Sequence, residues 1–154
     1  LRQAIELIRG KAYLNIEIKP PEQDEDYHIR LEKILECIYD TGMEQFTFFG
    51  SFHHGALAHL KRQHPILHTA AINIPNDKRL PSEIASEIGC EGFICSLREL
   101  THKRSEDALR NNIYLGVYTV NTSEDLEFAL NRKAKAIATN FPARICDYLK
   151  SKYK

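Results

Sequence analysis

Three polar side chains alternate with apolar ones along an extended segment near the start of the chain. Asn15, Glu17 and Lys19 occupy every second position of the run 14–19, where they alternate with Leu14, Ile16 and Ile18. This period of two predicts a strand that carries the three polar groups on one face. A carboxylate suits a hard cation, and an ammonium suits a phosphate. A functional site and a purely structural ion pair at the strand end both fit this spacing.

The rest of the chain supplies the elements that would position this strand. Helical patterns alternate with apolar runs, and we expect strands at 13–19, 45–51, 66–72, 92–96, 113–120 and 136–139. Strands that alternate with single helices form a parallel sheet, in which the strands are buried on both faces. A buried polar stripe is costly unless it meets partners or a ligand, which favours a functional role for the first strand.

Two folds accommodate such a sheet, a doubly wound open sheet and a TIM barrel. No GxGxxG or GxxxxGK motif follows a strand, which weakens the nucleotide-binding alternative. The short strands and the polar stripe favour the barrel. Six strands do not close an eight-stranded barrel, and a helical pattern is already under way at Leu1. We therefore predict an α/β fold in which residues 1–154 form a single domain, strands 3–8 of a TIM (β/α)8 barrel, with the first two βα units missing from this sequence.

The composition argues against some classes of binding partner. The 154 residues include 21 Lys plus Arg and 21 Asp plus Glu, a formal net charge of zero, which gives no support for nucleic-acid binding. No apolar run approaches the roughly 18 residues of a membrane span. The four cysteines are interpreted as buried, reduced thiols. A cytoplasmic location is favoured, although a signal peptide cannot be judged from a sequence that starts inside a helix.

Four segments in a fixed order resemble one enzyme family. They are LNIEIKP at 14–20, GSF at 50–52 with the helix HHGALAHLKRQHP after it, VYTVNT at 117–122 and AIATNFP at 136–142. In these segments the chain resembles the C-terminal three-quarters of a glycerophosphodiester phosphodiesterase, a metal-dependent TIM barrel. The resemblance implies that Glu17 is a ligand of a divalent cation, Mg²⁺ or Ca²⁺, and that Lys19 contacts the phosphodiester. It also implies that Tyr118, where the family usually has tryptophan, lines the site against the glycerol moiety.

The sequence also departs from the family pattern at positions that the resemblance makes important for catalysis. The family's HRG motif, its Glu-x-Asp motif and a second histidine are absent. These supply the acid–base histidines and further metal ligands, so we predict no catalytic residue in this chain and expect those histidines upstream. His53, just after the Ser-Phe pair, is a lesser candidate for contact with the site. Asn140 replaces the family's aspartate before Pro142, and Asn121 is interpreted as a turn residue ahead of a helix rather than a ligand.

The resemblance implies hydrolysis of glycerophosphodiesters to glycerol 3-phosphate and an alcohol, in lipid and glycerol metabolism. The 154 residues alone are expected to be inactive, and their unpaired edge strands are expected to favour self-association. One alternative is a non-catalytic phosphate-binding or regulatory domain derived from the same barrel. Another is a sister phosphodiesterase, such as a sphingomyelinase-D-like enzyme or a phosphoinositide phospholipase. The alcohol head group and the identity of the cation stay open.

Overall fold

A computed structural model describes residues 1–19 and 27–152. Within these residues, helices and strands alternate along the chain. The strands are β1 (Leu14–Glu17), β2 (Thr47–Ser51), β3 (His68–Ile72), β4 (Gly92–Ser96), β5 (Tyr114–Tyr118) and β6 (Ala136–Ile137). The helices are α1 (Arg2–Ile8), α2 (Tyr27–Thr41), α3 (His54–Gln63), α4 (Pro81–Ile88), α5 (His102–Arg110), α6 (Ser123–Asn131) and α7 (Pro142–Lys152).

The chain packs as two compact units. The first comprises Leu1–Ile72 with Glu87–Cys90, and the second comprises Asn73–Ser86 with Glu91–Lys154. The single domain expected from the sequence stays a prediction.

In the first unit, β1, β2 and β3 run parallel in chain order. Glu17 lies opposite Gly50 of β2, which lies opposite Ala70 of β3. Helix α3 packs on β2 and β3, and the fully buried Phe49 and Leu57 come from β2 and α3. Burial of such large apolar side chains is the main favourable contribution to folding, at roughly 1.5–3 kcal/mol each.

In the second unit, β4, β5 and β6 also run parallel in chain order. Phe93 and Cys95 of β4 lie directly opposite Leu115 and Val117 of β5 and form a buried layer with them, and α5 packs on β5. Burial raises the pKa of the Cys95 thiol to about 12, so this cysteine is a neutral part of the core.

Residue types account for several of the helix ends. Gly42, directly after α2, has φ +64°, a left-handed conformation that glycine adopts without a steric penalty. Thr122 forms a capping box with Asp125 at the start of α6, and Pro142 is the first residue of α7. Aspartate is a preferred N-cap residue, and the sequence therefore predicts that Asp24 or Asp26 caps α2; both lie outside the described residues.

Other expectations need correction. Residues 45 and 46 belong to a 3₁₀ turn, Glu44–Phe46, so β2 starts at Thr47, and the strands predicted at 13–19, 66–72, 113–120 and 136–139 are shorter than expected. Cysteines 37, 90 and 95 are buried and free, but Cys146 is exposed because it lies on the outer side of α7 from the buried Ile145. In the described parts of the chain, every helix is too short or too polar to cross a membrane.

The expectation that the first strand is buried on both faces is also wrong. Within the described residues β1 is an edge strand that pairs with β2. Asn15 and Glu17 are exposed, whereas Leu14 and Ile16 are half-buried. Polar and apolar side chains therefore do alternate along β1, but its polar face is exposed to water.

Candidate functional site

Glu17 and Lys19 lie where β1 ends. Glu17 is the last residue of the strand, and Lys19 follows two positions later, after the buried Ile18. The alternation that places Ile18 in the core therefore places both charged side chains in solvent. In TIM barrels the carboxyl ends of the strands carry the active site.

The two charged groups form an ion pair with each other. Lys19 Nζ donates a hydrogen bond to Glu17 Oε1 at 2.6 Å, and the Lys19 and Glu17 side chains are 71% and 36% exposed. Exposed ion pairs contribute about 0–1 kcal/mol because water solvates the separated charges almost as well. Either group can therefore exchange its partner for a ligand at small cost.

Backbone hydrogen bonds hold this segment against the neighbouring strand. Ile18 N–H donates to Gly50 O at 2.7 Å, and the buried Ser51 hydroxyl donates to Ile18 O at 2.7 Å. Ser51 Oγ in turn accepts from His53 N–H at 2.9 Å. Ser51 therefore ties the end of β1 to the start of α3. Ser51 belongs to the GSF motif of the sequence, but that motif did not indicate this role.

The adjacent histidines at the end of β2 have different roles. His53 caps α3, because its Nδ1 accepts from Ala56 N–H at 2.9 Å, which leaves the ring proton on Nε2. His54 is buried, and its Nε2 donates to Ile72 O at 2.9 Å. His54 Nδ1 has no hydrogen-bond partner among the described residues. His53 is half-buried and follows the strand that pairs with β1, so it stays a lesser candidate for contact with the site. His54 links α3 to the end of β3.

Tyr118 belongs to the second unit, where it is the last residue of β5. It is half-buried, whereas Leu115 and Val117 are 2% and 1% exposed. Gly116 shares the face of Tyr118, and a Cβ at Gly116 would lie 3.1 Å from Ile94 Cγ1. The strands are therefore tightly packed beside the tyrosine.

A polar network that the sequence analysis missed lies at the end of β4. Glu99 accepts hydrogen bonds from Ser96 N–H at 3.0 Å and Ser96 O–H at 2.7 Å on Oε2, and from Asn73 Nδ2 at 2.6 Å on Oε1. Burial opposes the charged form of Glu99, but the hydrogen bonds from Ser96 and Asn73 and the nearby Arg104 outweigh it and lower the pKa of Glu99. The Ser-x-x-Glu spacing directly after a strand is the signal that could have found it.

Arg104 completes this network from α5. Arg104 is 7% exposed, and its guanidinium donates to the carbonyl oxygens of Glu99 and Asp77. It also lies 5.8 Å from the ring centroid of Phe93. A buried guanidinium needs such acceptors, because desolvating an unpaired charge is costly.

The turn after β5 has a structural role. Asn121 Oδ1 accepts from Asn140 N–H at 3.0 Å, which joins this turn to the one before α7. The interpretation of Asn121 as a turn residue agrees with these contacts. Asn140 contributes its backbone N–H to this link.

The residues that the structure describes do not form a complete cation site. Glu17 offers carboxylate oxygens, the ligand type that Mg²⁺ and Ca²⁺ prefer, but these ions take six or more oxygens. Among residues 1–19 and 27–152, no group of three or more His, Cys, Asp or Glu side chains is placed to hold a metal ion.

Parallel βα repeats with polar side chains at the carboxyl ends of their strands define an α/β fold of the TIM-barrel type. Residues 1–144 match the model of the glycerophosphoryl diester phosphodiesterase family. The chain belongs to this family. A comparison with curated protein sequences finds no match.

Solved structures agree on the fold. An Oleispira antarctica phosphodiesterase in complex with the product sn-glycerol-3-phosphate has a TM-score of 0.83 at 20% identity, over 97% of this chain and 60% of its own. A glycerophosphodiester phosphodiesterase from Parabacteroides distasonis has a TM-score of 0.81 at 20% identity, over 99% of this chain and 63% of its own. The chain thus spans less than two thirds of these proteins and has the fold of a partial TIM barrel, which confirms the predicted fold class.

Proposed function

We propose that the protein hydrolyses glycerophosphodiesters to glycerol 3-phosphate and an alcohol. The observation that carries the proposal is the exposed Glu17–Lys19 pair at the carboxyl end of β1. In the described part of the chain, the hydrogen bonds of these two side chains are confined to each other. Their contribution to stability is therefore small, and a ligand accounts for their presence better than the fold does. Family membership and the product bound to the Oleispira antarctica relative support the same substrate class.

Lys19 and Glu17 have separable roles in this proposal. The Lys19 ammonium binds the phosphodiester anion and holds it at the end of β1 by a charge-assisted hydrogen bond. Glu17, released by Lys19, is one ligand of a Mg²⁺ or Ca²⁺ ion whose other ligands come from outside the described residues. When bound, the ion neutralises charge on the phosphodiester. Tyr118 offers a ring face and a hydroxyl to the glycerol moiety.

We expect the 154 residues alone to be inactive. Hydrolysis needs a general acid and a general base within hydrogen-bond reach of the substrate. His53 Nδ1 is committed to the α3 cap and His54 is buried. Within the described residues, these two histidines therefore do not form an acid–base pair at the end of β1.

A hydrolysis assay tests both statements. The full-length protein and the 154-residue chain are incubated with glycerophosphocholine and glycerophosphoethanolamine in Mg²⁺, in Ca²⁺ and in EDTA, and glycerol 3-phosphate is measured. We expect turnover by the full-length protein with a divalent ion and none by the 154 residues. Turnover by the 154 residues would contradict the second statement, and no turnover by the full-length protein would contradict the first.

The incomplete cation site favours a second candidate, a non-catalytic phosphate-binding domain. Calorimetry with glycerol 3-phosphate separates the two candidates in the full-length protein. Binding that depends on Lys19, without turnover of either diester, supports the binding domain.

Self-association through exposed strand edges is a further part of the proposal. β1 offers unpaired backbone groups on the side away from β2 within the described residues, and such edges pair with other chains. We expect sedimentation velocity of the 154-residue chain to show concentration-dependent oligomers. A single monomeric species over the whole concentration range would contradict this expectation.

A further inference from the structure

Ser96 and Tyr118 are the last residues of two neighbouring strands and share one face of the sheet. They pair in register across β4 and β5, and partners in parallel strands direct their side chains to the same side. Phe93 and Cys95 fill the opposite, fully buried face. The Ser96 hydroxyl therefore lies on the half-buried face, beside the tyrosine that the family resemblance assigns to the glycerol moiety.

The proton of the Ser96 hydroxyl is already committed. Ser96 Oγ donates to Glu99 Oε2 at 2.7 Å, and Ser96 N–H donates to the same oxygen at 3.0 Å. Asn73 Nδ2 occupies the other carboxylate oxygen at 2.6 Å. With these donors and a lowered pKa, Glu99 is an ionised acceptor, and the direction of the Ser96 hydrogen bond is fixed.

A serine in this state recognises one kind of ligand group. Its oxygen keeps lone pairs and has no proton left to offer, so it can only accept a hydrogen bond. Phosphodiester oxygens are acceptors and are rejected, whereas a free hydroxyl is a donor and fits. No described residue donates a hydrogen bond to Ser96 Oγ.

We propose that Ser96 determines specificity for the glycerol moiety by accepting a hydrogen bond from one of its free hydroxyls, with Glu99 as the positioning residue. This inference rests on the proposed function and names the substrate group, the glycerol moiety, that Ser96 selects beside Tyr118. Ser96 discriminates a glycerol diester from a diester of the same charge and length that has no hydroxyl. A site that accepts from a substrate hydroxyl loses the energy of that hydrogen bond with such an analogue.

The test compares two substrates in the full-length protein, glycerophosphocholine and propyl phosphocholine, which lacks both glycerol hydroxyls. We expect the wild type to prefer glycerophosphocholine by at least about 10-fold in kcat/KM. Ser96→Ala should lower kcat/KM for glycerophosphocholine about 10-fold and leave propyl phosphocholine within about twofold. Glu99→Gln should reduce the preference in the same direction, because the amide leaves the Ser96 proton free to point elsewhere.

Ser82 provides a matched control. It also donates its N–H and its O–H to one carboxylate, that of Asp107, at 2.8 and 2.9 Å, but it lies on α4 and not at a strand end. Ser82→Ala should leave the substrate preference unchanged.

Three outcomes overturn the inference. The first is an equal kcat/KM of the wild type for both substrates. This result needs no variant and therefore overturns the inference even if Ser96→Ala fails to fold. A preference that Ser96→Ala leaves intact also does so, while the proposed function stands. Failure of the wild type to hydrolyse either substrate removes the proposed function and the inference with it.

Discussion

The carboxyl ends of β1 and β4 each carry a glutamate, and the structure holds the two in opposite ways. Glu17 at β1 is exposed and bonds to Lys19 alone among the described residues. Glu99, three residues after β4, is half-buried and accepts three hydrogen bonds from Ser96 and Asn73. The first carboxylate can be removed without leaving a buried group unpaired, and the second cannot.

The difference teaches how to separate a polar group kept for the fold from one kept for a ligand. Glu99 is explained by the donors that surround it, since it fixes the loop after β4. Glu17 and Lys19 have no comparable task in the described residues. The contrast predicts that variants that disturb Glu99 change stability as well as the substrate preference set by Ser96, whereas variants at the β1 end change activity with little change in stability.

The largest stability effect is expected at Arg104. Arg104→Ala should lower the free energy of unfolding by about 3 kcal/mol, because it removes the guanidinium donors to the Glu99 and Asp77 carbonyl oxygens and opens space beside Phe93. Urea denaturation measures the change. Arg110→Ala on the same helix is the control, because its side chain is 76% exposed, and it should cost less than about 0.5 kcal/mol. Equal losses of stability in the two variants would contradict a structural role for the buried Arg104.

A smaller, pH-dependent effect is expected at Glu99. Its pKa is lower in the folded chain than in the unfolded chain, so its stabilisation is present at neutral pH and is lost as the pH falls through the folded-state pKa. Glu99→Gln should cost about 1–2 kcal/mol at pH 7. The difference from the wild type should shrink on acidification, as measured by urea denaturation from neutral to acidic pH.

An exposed carboxylate serves as the control for Glu99. Glu106 is 47% exposed on α5, and Glu106→Gln should change stability little at any pH. A cost of Glu99→Gln that is constant or grows as the pH falls would show that charge does not hold the loop after β4.

The smallest stability effect is expected at the β1 end. Lys19→Ala should change the free energy of unfolding by less than about 0.5 kcal/mol, because an exposed ion pair contributes little. Ser51→Ala at the same edge is the counterpart and should cost about 1 kcal/mol, since it removes the donor to Ile18 O and the acceptor of His53 N–H. A larger cost for Lys19→Ala than for Ser51→Ala would reverse the interpretation of this edge.

Much of the fold could be predicted from local pattern. The alternation of strand and helix, the exact bounds of β4 and the turn at Gly42 all follow from residue type and spacing. The exposure of β1 could not, because the position of a strand in a sheet depends on which neighbours are present. The predicted start of β2 was wrong because Phe46, the last residue of the 3₁₀ turn Glu44–Phe46, is of the same residue type as the aromatic residues of the strand that follows.

The candidate site was predictable only where the signal was local. Glu17 and Lys19 stand out by their period within one strand. The Ser96–Glu99–Asn73 network joins side chains that are 23 to 26 positions apart at its ends, and no local pattern indicates that Asn73 meets Glu99. The hydrogen bond from His54 to Ile72 is equally invisible in the sequence, as it joins α3 to the end of β3.

The most direct test of the account is the activity of Glu17→Ala in the full-length protein. We predict that divalent-ion-dependent release of glycerol 3-phosphate from glycerophosphocholine falls at least about 10²–10³-fold, the loss typical of removing one electrostatic element of an active site. The urea midpoint should stay at the wild-type value, and Glu106→Ala should leave activity unchanged. Near wild-type turnover by a folded Glu17→Ala variant would contradict the assignment of the β1 end as the functional site.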